Sequence, residues 1–187
     1  MNKERALKKI AATIAACRVC RKGCTGEPVP GEGSADARIV FVGEAPGKEE
    51  AKTGRPFIGR SGRLLRQLIA DIGLDENEVF ITSPVHRLPL AGTPTKEMIL
   101  HGREHLFEQL KVIEPKVIVL LGKTACTAVL DRPVEVAKEH GTVVEQDGRS
   151  LFLTLHPAYA LRFPKAKEQF SRDFQKLRKL LHGMGAS

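Results

Sequence analysis

The segment over residues 43–65 holds the residue types and spacing best suited to chemistry. It reads GEAPGKEEAKTGRPFIGRSGRLL and combines many glycines with two candidate catalytic carboxylates, Glu44 and Glu50, and an aromatic residue, Phe57. It directly follows the apolar run RIVFV at 38–42, which predicts a buried parallel strand. Ligands of open α/β sheets bind at the carboxyl ends of strands, and glycines let backbone amides approach them closely. The segment therefore predicts a binding site.

A second candidate segment begins at His156, directly after the strand predicted over 151–155. Parallel strands end at the same edge of a sheet, so we expect residues 156–164 to face the loop over 43–62. A histidine at a strand end is also common as a hydrogen-bonded core group, and this alternative stays open on the sequence alone.

Three of the four cysteines, Cys17, Cys20 and Cys24, form a CxxCxxxC pattern, and Cys126 lies apart. The sequence has no apolar run near 18 residues and no signal-peptide pattern, so we expect a cytoplasmic protein without structural disulfides or a membrane partner. Three clustered thiols then indicate a metal site, with reduced, metal-free thiols as the alternative. Cys126, on an apolar helix, is predicted to be a core residue.

Length and charge indicate the size and the partner of the molecule. The chain has 187 residues, with 30 Lys and Arg against 22 Asp and Glu, which gives a net charge of +8. We expect one domain over 1–187, with an N-terminal helix and cysteine loop at 1–33, and a monomer. The basic excess favours an anionic polymer or a phosphate group as partner.

Strand and helix patterns alternate along the chain. Helices are predicted at about 4–16, 61–72, 95–114, 123–130 and 165–182, and strands at 38–42, 79–82, 116–121, 134–144 and 151–155. This alternation predicts an α/β fold, a three-layer αβα sandwich with a central, mostly parallel, four-stranded sheet.

The two strand-end segments together resemble the family 4 uracil-DNA glycosylases. The family motifs GE(G/A)PGxxED, GxPF(V)GxAGxLL and HPAxxLR correspond to GEAPGKEEA at 43–51, GRPFIGRSGRLL at 54–65 and HPAYALR at 156–162. The resemblance spans essentially the whole chain, including PKVIVLLGKTA at 115–125. It implies a glycosylase fold and a monofunctional enzyme that excises uracil, or a related deaminated base, from DNA by hydrolysis and leaves an abasic site.

The chemistry of such an enzyme assigns roles to the candidate residues. A base flipped out of DNA needs a stacking partner, which Phe57 would supply unless it is an ordinary core residue. Backbone amides around Glu44 and Ala45 are expected to bind a base carbonyl as negative charge develops, with His156 donating to the same oxygen. Glu44 and Glu50 are the candidates for orienting water and stabilising a cationic sugar.

Other residues are expected to contact the DNA itself. The resemblance implies that Leu161, after Pro157, fills the space left by the flipped nucleotide. The full set of predicted DNA-binding residues is Arg60, Arg63, Leu161, Arg162 and Lys165.

The chain departs from the family pattern after its second strand. Family members carry Asn in a TN(V/I)VKCRP run, whereas this chain has TSPVHRLP at 82–89, with Ser83 in place of the Asn. A hydroxyl is shorter than an amide and lacks its paired donor and acceptor. We therefore expect Ser83 to contact the base, with a different base preference or slower excision.

The metal ligands depart as well. The resemblance implies a [4Fe–4S] cluster, bound by two N-terminal cysteines, the Cys of KCRP and a later helical Cys. The last two positions fall on Arg87 and Gly102, which cannot ligate. The ligands expected for a cluster, or for zinc in its place, are Cys17, Cys20, Cys24 and His101, with His86 as the alternative histidine.

Two other functions remain in competition. Ser83 favours a non-catalytic or covalently trapping damaged-DNA-binding protein on the same scaffold. A nucleotide-binding module with GEAPG as its phosphate loop is less consistent with the sequence, because the loop lacks GK(S/T) and carries Glu44, Glu49 and Glu50.

Overall fold

The computed structural model describes residues 2–130 and 132–185. The helices are α1 Lys3–Ala16, α2 Arg18–Arg21, α3 Glu50–Thr53, α4 Arg60–Asp71, α5 Lys96–Ile113, α6 Lys123–Val129, α7 Val136–Glu139, α8 Pro157–Arg162 and α9 Pro164–Gly185. The strands are β1 Cys24–Thr25, β2 Glu32–Gly33, β3 Ile39–Val42, β4 Val79–Thr82, β5 Leu88–Pro89, β6 Val117–Leu121, β7 Thr142–Gln146 and β8 Arg149–Thr154. A 3₁₀ turn lies at Glu76–Glu78.

The main sheet has the strand order β2-β4-β3-β6-β8-β7. Its four central strands are parallel, and the edge strands β2 and β7 are antiparallel to their neighbours. The predicted α/β class and mostly parallel sheet are thus confirmed. The sheet is wider than the four strands predicted, because a two-residue strand and the first arm of a hairpin extend its edges.

Side chains alternate between the two faces of the sheet and create a core on each. Val40 and Val42 pack on one face with α5 and α6, where Leu106 and Leu110 of α5 are buried. Ile39 and Phe41 point to the other face, where α4, α8 and α9 cover the sheet. This alternation within a fully buried strand produces the three predicted layers.

The strand predicted over 134–144 is wrong in its first half. Residues 136–139 form the short helix α7, and β7 begins only at Thr142. Gly141 separates them with a φ of +73°, in the left-handed region that ends a helical turn. The valines that suggested a strand therefore belong to two elements.

The structure also bears on two smaller predictions. Cys126 is fully buried in the core, as expected. No helix within residues 2–130 and 132–185 is long and apolar enough to cross a membrane.

Candidate functional site

Phe57 and His156 meet at the carboxyl edge of the parallel strands. The loop that carries Phe57 follows β3, and His156 follows β8. Their ring centroids lie 6.2 Å apart, and both side chains are half-buried. Phe57 packs against the hydrophobic cluster that includes residues of α4, but it is only partly buried. Part of its side chain therefore remains accessible. The structure thus brings together the two segments that the sequence placed at one edge.

Two glycines make room for Phe57. A Cβ on Gly43 would lie 2.5 Å from its ring, and one on Gly62 would lie 1.9 Å from its carbonyl oxygen. The backbone of Phe57 itself has a φ of +51°, which is unfavourable for an aromatic residue. The guanidinium of Arg66 donates to the carbonyls of Pro56 and Phe57, at 3.0 Å each, and holds this turn in place.

Glu50 lies beneath the same loop. Its side chain is buried, and its Oε1 accepts hydrogen bonds from the amides of Ile58 and Gly59 at 2.9 and 2.8 Å. A Cβ on Gly47 would lie 2.7 Å from its Oε2. Through these contacts Glu50 shapes the turn after Phe57, and its predicted role toward the water and the sugar stays a prediction.

Glu44 has a partner that the sequence did not suggest. The hydroxyl of Thr124, in the first turn of α6, donates to its Oε2 at 2.6 Å. Glu44 remains half-buried, as does its neighbour Ala45. The turn before α6 is also close to His156, since a Cβ on Gly122 would lie 2.9 Å from the His156 Cβ. Thr124 lies in the quoted PKVIVLLGKTA run, so its place after the strand was the available signal.

His156 has its hydrogen-bonding role fixed by its own helix. Its Nδ1 accepts a hydrogen bond from the amide of Ala158 at 3.1 Å, so the neutral ring carries its proton on Nε2. Burial lowers the pKa of His156 below 6.5, although the nearby Glu44 carboxylate opposes this shift. At neutral pH the side chain is therefore an uncharged Nε2–H donor.

Ser83 follows β4 and is buried. Its hydroxyl donates to the carbonyl of Val85 at 2.8 Å, so its one donor is used within its own loop. The Ser83 oxygen can still accept a hydrogen bond.

The predicted DNA-binding residues lie on exposed surface. Arg60 and Arg63 lie at the start of α4, and Leu161, Arg162 and Lys165 follow His156. Leu161 is 37% exposed.

Two aromatic residues beside this surface were missed by sequence analysis. Tyr159 and Phe163 are about half exposed, and their ring centroids lie 4.9 Å apart. Together with Leu161, these two exposed rings form an apolar surface on α8 and on the residue that follows it. The HPAYALRF run contains both residues, but their exposure depends on how α8 packs.

The cysteine loop meets α5 in a compact group of donor atoms. The candidate ligand atoms of Cys17, Cys20, His101 and His105 all lie within 4.8 Å of one another. Cys24 is outside this group, and His105 takes the place expected for it. The missed signal was the HxxxH spacing, because residues four apart share one face of a helix.

The two thiols of this group differ in charge state. Burial raises the pKa of Cys17, but the hydrogen bond from the Cys20 amide and the nearby His105 and His101 side chains outweigh it and lower that pKa to about 6. Burial and the neighbouring Cys17 raise the pKa of Cys20 to about 12. A metal cation would stabilise both thiolates, since a coordinated thiol is deprotonated.

The residues present do not fit a [4Fe–4S] cluster bound by four cysteines. The compact group supplies two thiolates and two imidazoles. Both ring nitrogens of His105 are buried without a hydrogen-bond partner, which is unfavourable unless something binds them. These four donors could hold a metal ion, and their composition differs from the one the resemblance implies.

A cavity of about 660 Å³ lies at the other end of the sheet, lined by Arg38, Ile39 and Val117 among others. These residues begin β3 and β6, and the cavity holds none of the candidate catalytic side chains. The candidate catalytic side chains thus converge at the carboxyl edge of the sheet and not at this cavity.

Comparison with known proteins identifies the family of this chain. The family model for the uracil DNA glycosylase superfamily matches residues 30–179. The type-4 uracil-DNA glycosylase of Thermotoga maritima is 42% identical over 152 residues, covering 75% of this chain and 79% of that protein. Those of Sulfurisphaera tokodaii and Archaeoglobus fulgidus are each 36% identical over 93% of this chain, covering 84% and 92% of their own lengths.

The chain therefore belongs to the uracil-DNA glycosylase superfamily. Within it, the type-4 uracil-DNA glycosylases are relatives that it matches over most of its length. The resemblance inferred from the motifs is confirmed.

Proposed function

We propose that this chain hydrolyses the bond between uracil and deoxyribose in DNA, releasing uracil and leaving an abasic site. The observation that carries the proposal is the meeting of Phe57 and His156, 6.2 Å apart, at the sheet edge where the family motifs converge. The names of the relatives indicate that the excised base is uracil, and the geometry of the site indicates how its bond to the sugar is broken.

Base recognition begins with stacking. A base swung out of the duplex would rest on the ring of Phe57, whose glycine neighbours hold it in one orientation. Stacking on an aromatic side chain contributes about 1–3 kcal/mol per base in other nucleic-acid complexes. The backbone after β3, at Glu44 and Ala45, lies where amides can bind a carbonyl of the same base.

His156 would act on the leaving group. When the glycosidic bond breaks, its electron pair leaves with the base, and negative charge spreads to the base carbonyl oxygens. A neutral Nε2–H donor can stabilise that charge through a hydrogen bond that strengthens as the reaction proceeds. The Nδ1 contact with Ala158 keeps Nε2 as the donor.

Glu44 is the candidate for the sugar side. A water oxygen must attack the sugar carbon as the base departs, and a carboxylate can both orient that water and stabilise a cationic sugar. The hydroxyl of Thr124 holds one oxygen of Glu44, which leaves the other for this role.

We also propose a structural role for the metal group. Cys17 and Cys20 lie at the end of α1 and in α2, while His101 and His105 lie on α5. A metal bound there would tie the N-terminal helices to the core and supply none of the groups at the reaction edge.

The test is single-turnover release of uracil from a labelled oligonucleotide, read as strand breaks after hot alkali. His156→Ala and Phe57→Ala should each lower the rate at least tenfold and still bind DNA. Lys116→Ala, at an exposed residue directly before β6 and thus at the opposite end of the sheet, serves as the control and should leave the rate unchanged. A wild-type rate in His156→Ala would contradict the proposed role.

One observation favours a second candidate, a protein that binds or traps damaged DNA. Ser83 stands where the family carries Asn, and its hydroxyl donates to Val85, so this side chain offers no amide to uracil. Oligonucleotides with uracil, hypoxanthine, xanthine or no lesion separate the two. Alkali-sensitive breaks support the enzyme, whereas retention without breaks supports the binding protein.

A further inference from the structure

The ligand spacing at the cysteine loop is that of a mononuclear metal site. Cys17 and Cys20 are separated by two residues, and His101 and His105 by three. Structural zinc sites commonly combine C-x₂₋₄-C with H-x₃₋₅-H. We propose that Cys17, Cys20, His101 and His105 bind one zinc ion, in place of the iron–sulfur cluster that the family resemblance implies.

The distances support a single ion. All four ligand atoms lie within 4.8 Å of one another, and Cys17 Sγ is 3.2 Å from His101 Nε2. Zinc–sulfur bonds of about 2.3 Å and zinc–nitrogen bonds of about 2.0 Å in a tetrahedron separate the ligands by roughly 3.3–3.8 Å. The ligands of a four-iron cubane each bind a different iron, so they must lie further apart.

Packing at Gly102 blocks the family's fourth ligand position. A Cβ on Gly102 would lie 1.7 Å from the carbonyl oxygen of Pro84, so α5 packs directly on the loop after β4. A cysteine cannot replace Gly102 without moving one of the two. The neighbouring His101 and, one turn later, His105 are the donors that α5 presents to the cysteines.

Arg87 occupies the third position. Its guanidinium donates to the carbonyls of Gly26 and Ala15, and the residue is 9% exposed. A buried cation in this place connects the end of α1 to the cysteine loop. The side chain that the loop after β4 presents at this position is therefore engaged with backbone carbonyls and supplies no metal ligand.

His105 provides an independent indication. It is 8% exposed, and neither ring nitrogen has a hydrogen-bond partner. Its Nδ1 lies 3.7 Å from Oε2 of Glu108, so Nε2 is the nitrogen available to a metal. Metal-binding histidines usually donate their other N–H to a carboxylate, and Glu108 is the carboxylate beside Nδ1, although 3.7 Å is too long for a hydrogen bond.

Two iron-containing alternatives would require different ligands or a different ligand arrangement. A cluster could lie in the adjoining cavity of about 350 Å³, whose lining includes Cys20, Cys24, His86 and His101. That cluster would depend on Cys24. A [2Fe–2S] centre with two Cys and two His would place the thiolates and imidazoles on different irons and separate them.

The experiment measures metal content of the full chain, purified without oxygen. We expect about one zinc per chain, negligible iron and no absorbance band near 400 nm. Replacing zinc with Co²⁺ should give the visible bands of a tetrahedral site with two thiolates. Iron with inorganic sulfide in the wild-type chain would overturn the proposal, as would a chain that neither contains zinc nor gains thermal stability when zinc is added.

Variants then test the ligand set. Cys17→Ser and His105→Ala should each lower the zinc content at least fivefold, and Cys24→Ser, the matched control, should leave it unchanged. Loss of metal in Cys24→Ser together with an unchanged content in His105→Ala would overturn the assignment. None of these readouts depends on glycosylase activity, so this proposal and the proposed function can fail separately.

Discussion

His156 shows how one backbone contact can fix the chemistry of a side chain. The Ala158 amide occupies Nδ1, and burial favours the neutral ring, so the histidine serves as a donor without carrying charge. Because its folded pKa lies below 6.5, its ordinary value, the folded state disfavours the proton. Folding stability from this group is complete above pH 6.5 and declines as the pH falls from there toward the lowered pKa.

The same reasoning predicts the pH dependence of base release. The single-turnover rate should not change through titration of His156 between pH 8 and its ordinary pKa of 6.5, because the ring stays neutral there. His156→Gln, which retains an N–H donor, should keep more activity than His156→Ala. A wild-type rate that rises steeply on acidification from pH 8 to 6.5 would show that the protonated ring is the active form.

Glu50 allows a second prediction about a single residue. If the carboxylate only shapes the loop, Glu50→Gln should retain most activity, because its amide oxygen can still accept from Ile58 and Gly59. Glu50→Ala should lose at least tenfold and also destabilise the protein by about 1–3 kcal/mol, since it leaves two amides unpaired. Paired rate and urea-unfolding measurements check this. Equal activity losses in the two variants, with Gln fully stable, would instead indicate that the charge acts in the reaction.

Motifs located the residues whose chemistry depends on local spacing, and they missed those recruited from elsewhere. The strand ends placed Phe57 and His156 together because parallel strands share an edge. Thr124 and His105 were missed, since each meets its candidate partner from a position about 80 residues away in the chain. Cys24 was included because it is close in sequence, yet the geometry of the turn after α2 keeps it out of the group.

At the level of elements, the helices and central strands followed from hydrophobic periodicity, and the edges of the sheet did not. β7 is only partly buried, so its burial pattern gives little sequence signal. The available signal was the turn, because Asp147 and Gly148 both have positive φ and join β7 to β8 as a two-residue hairpin. β2 has just two residues, and only its pairing with β4 defines it.

The attachment of α9 to the sheet gives a prediction about an element. Asp173 is buried, and its Oδ2 accepts from Thr154 of β8 and contacts His140 Nδ1, both at 2.8 Å. Asp173→Ala leaves the buried Thr154 hydroxyl and the half-buried His140 ring without their partner and should lower the free energy of unfolding by roughly 2–4 kcal/mol. Asp71→Ala, at the exposed end of α4, is the control and should change stability by less than about 0.5 kcal/mol. Urea unfolding measures both, and similar values for the two variants would contradict the role of Asp173.

At the scale of the whole molecule, the net charge of +8 becomes meaningful through its distribution. Exposed Arg60, Arg63, Arg162 and Lys165 belong to the two segments that meet at the sheet edge, so they can contact phosphates while the base enters the site. Each phosphate contact releases counterions, and four contacts predict that log K falls with log salt concentration with a slope of about −3.6.

Substitution of one of these residues tests whether the charge acts locally. Arg162→Ala should make the salt dependence shallower by about 0.9 and weaken binding to lesion and undamaged DNA alike, since phosphates carry no sequence information. At saturating enzyme its rate of base release should remain close to wild type, because His156 and Phe57 are intact. Lys116→Ala removes the same unit of charge from the opposite end of the sheet, directly before β6, and should leave the slope unchanged. Fluorescence anisotropy at several salt concentrations gives both slopes, and equal slopes for the two variants would mean that DNA responds to total charge and not to this face.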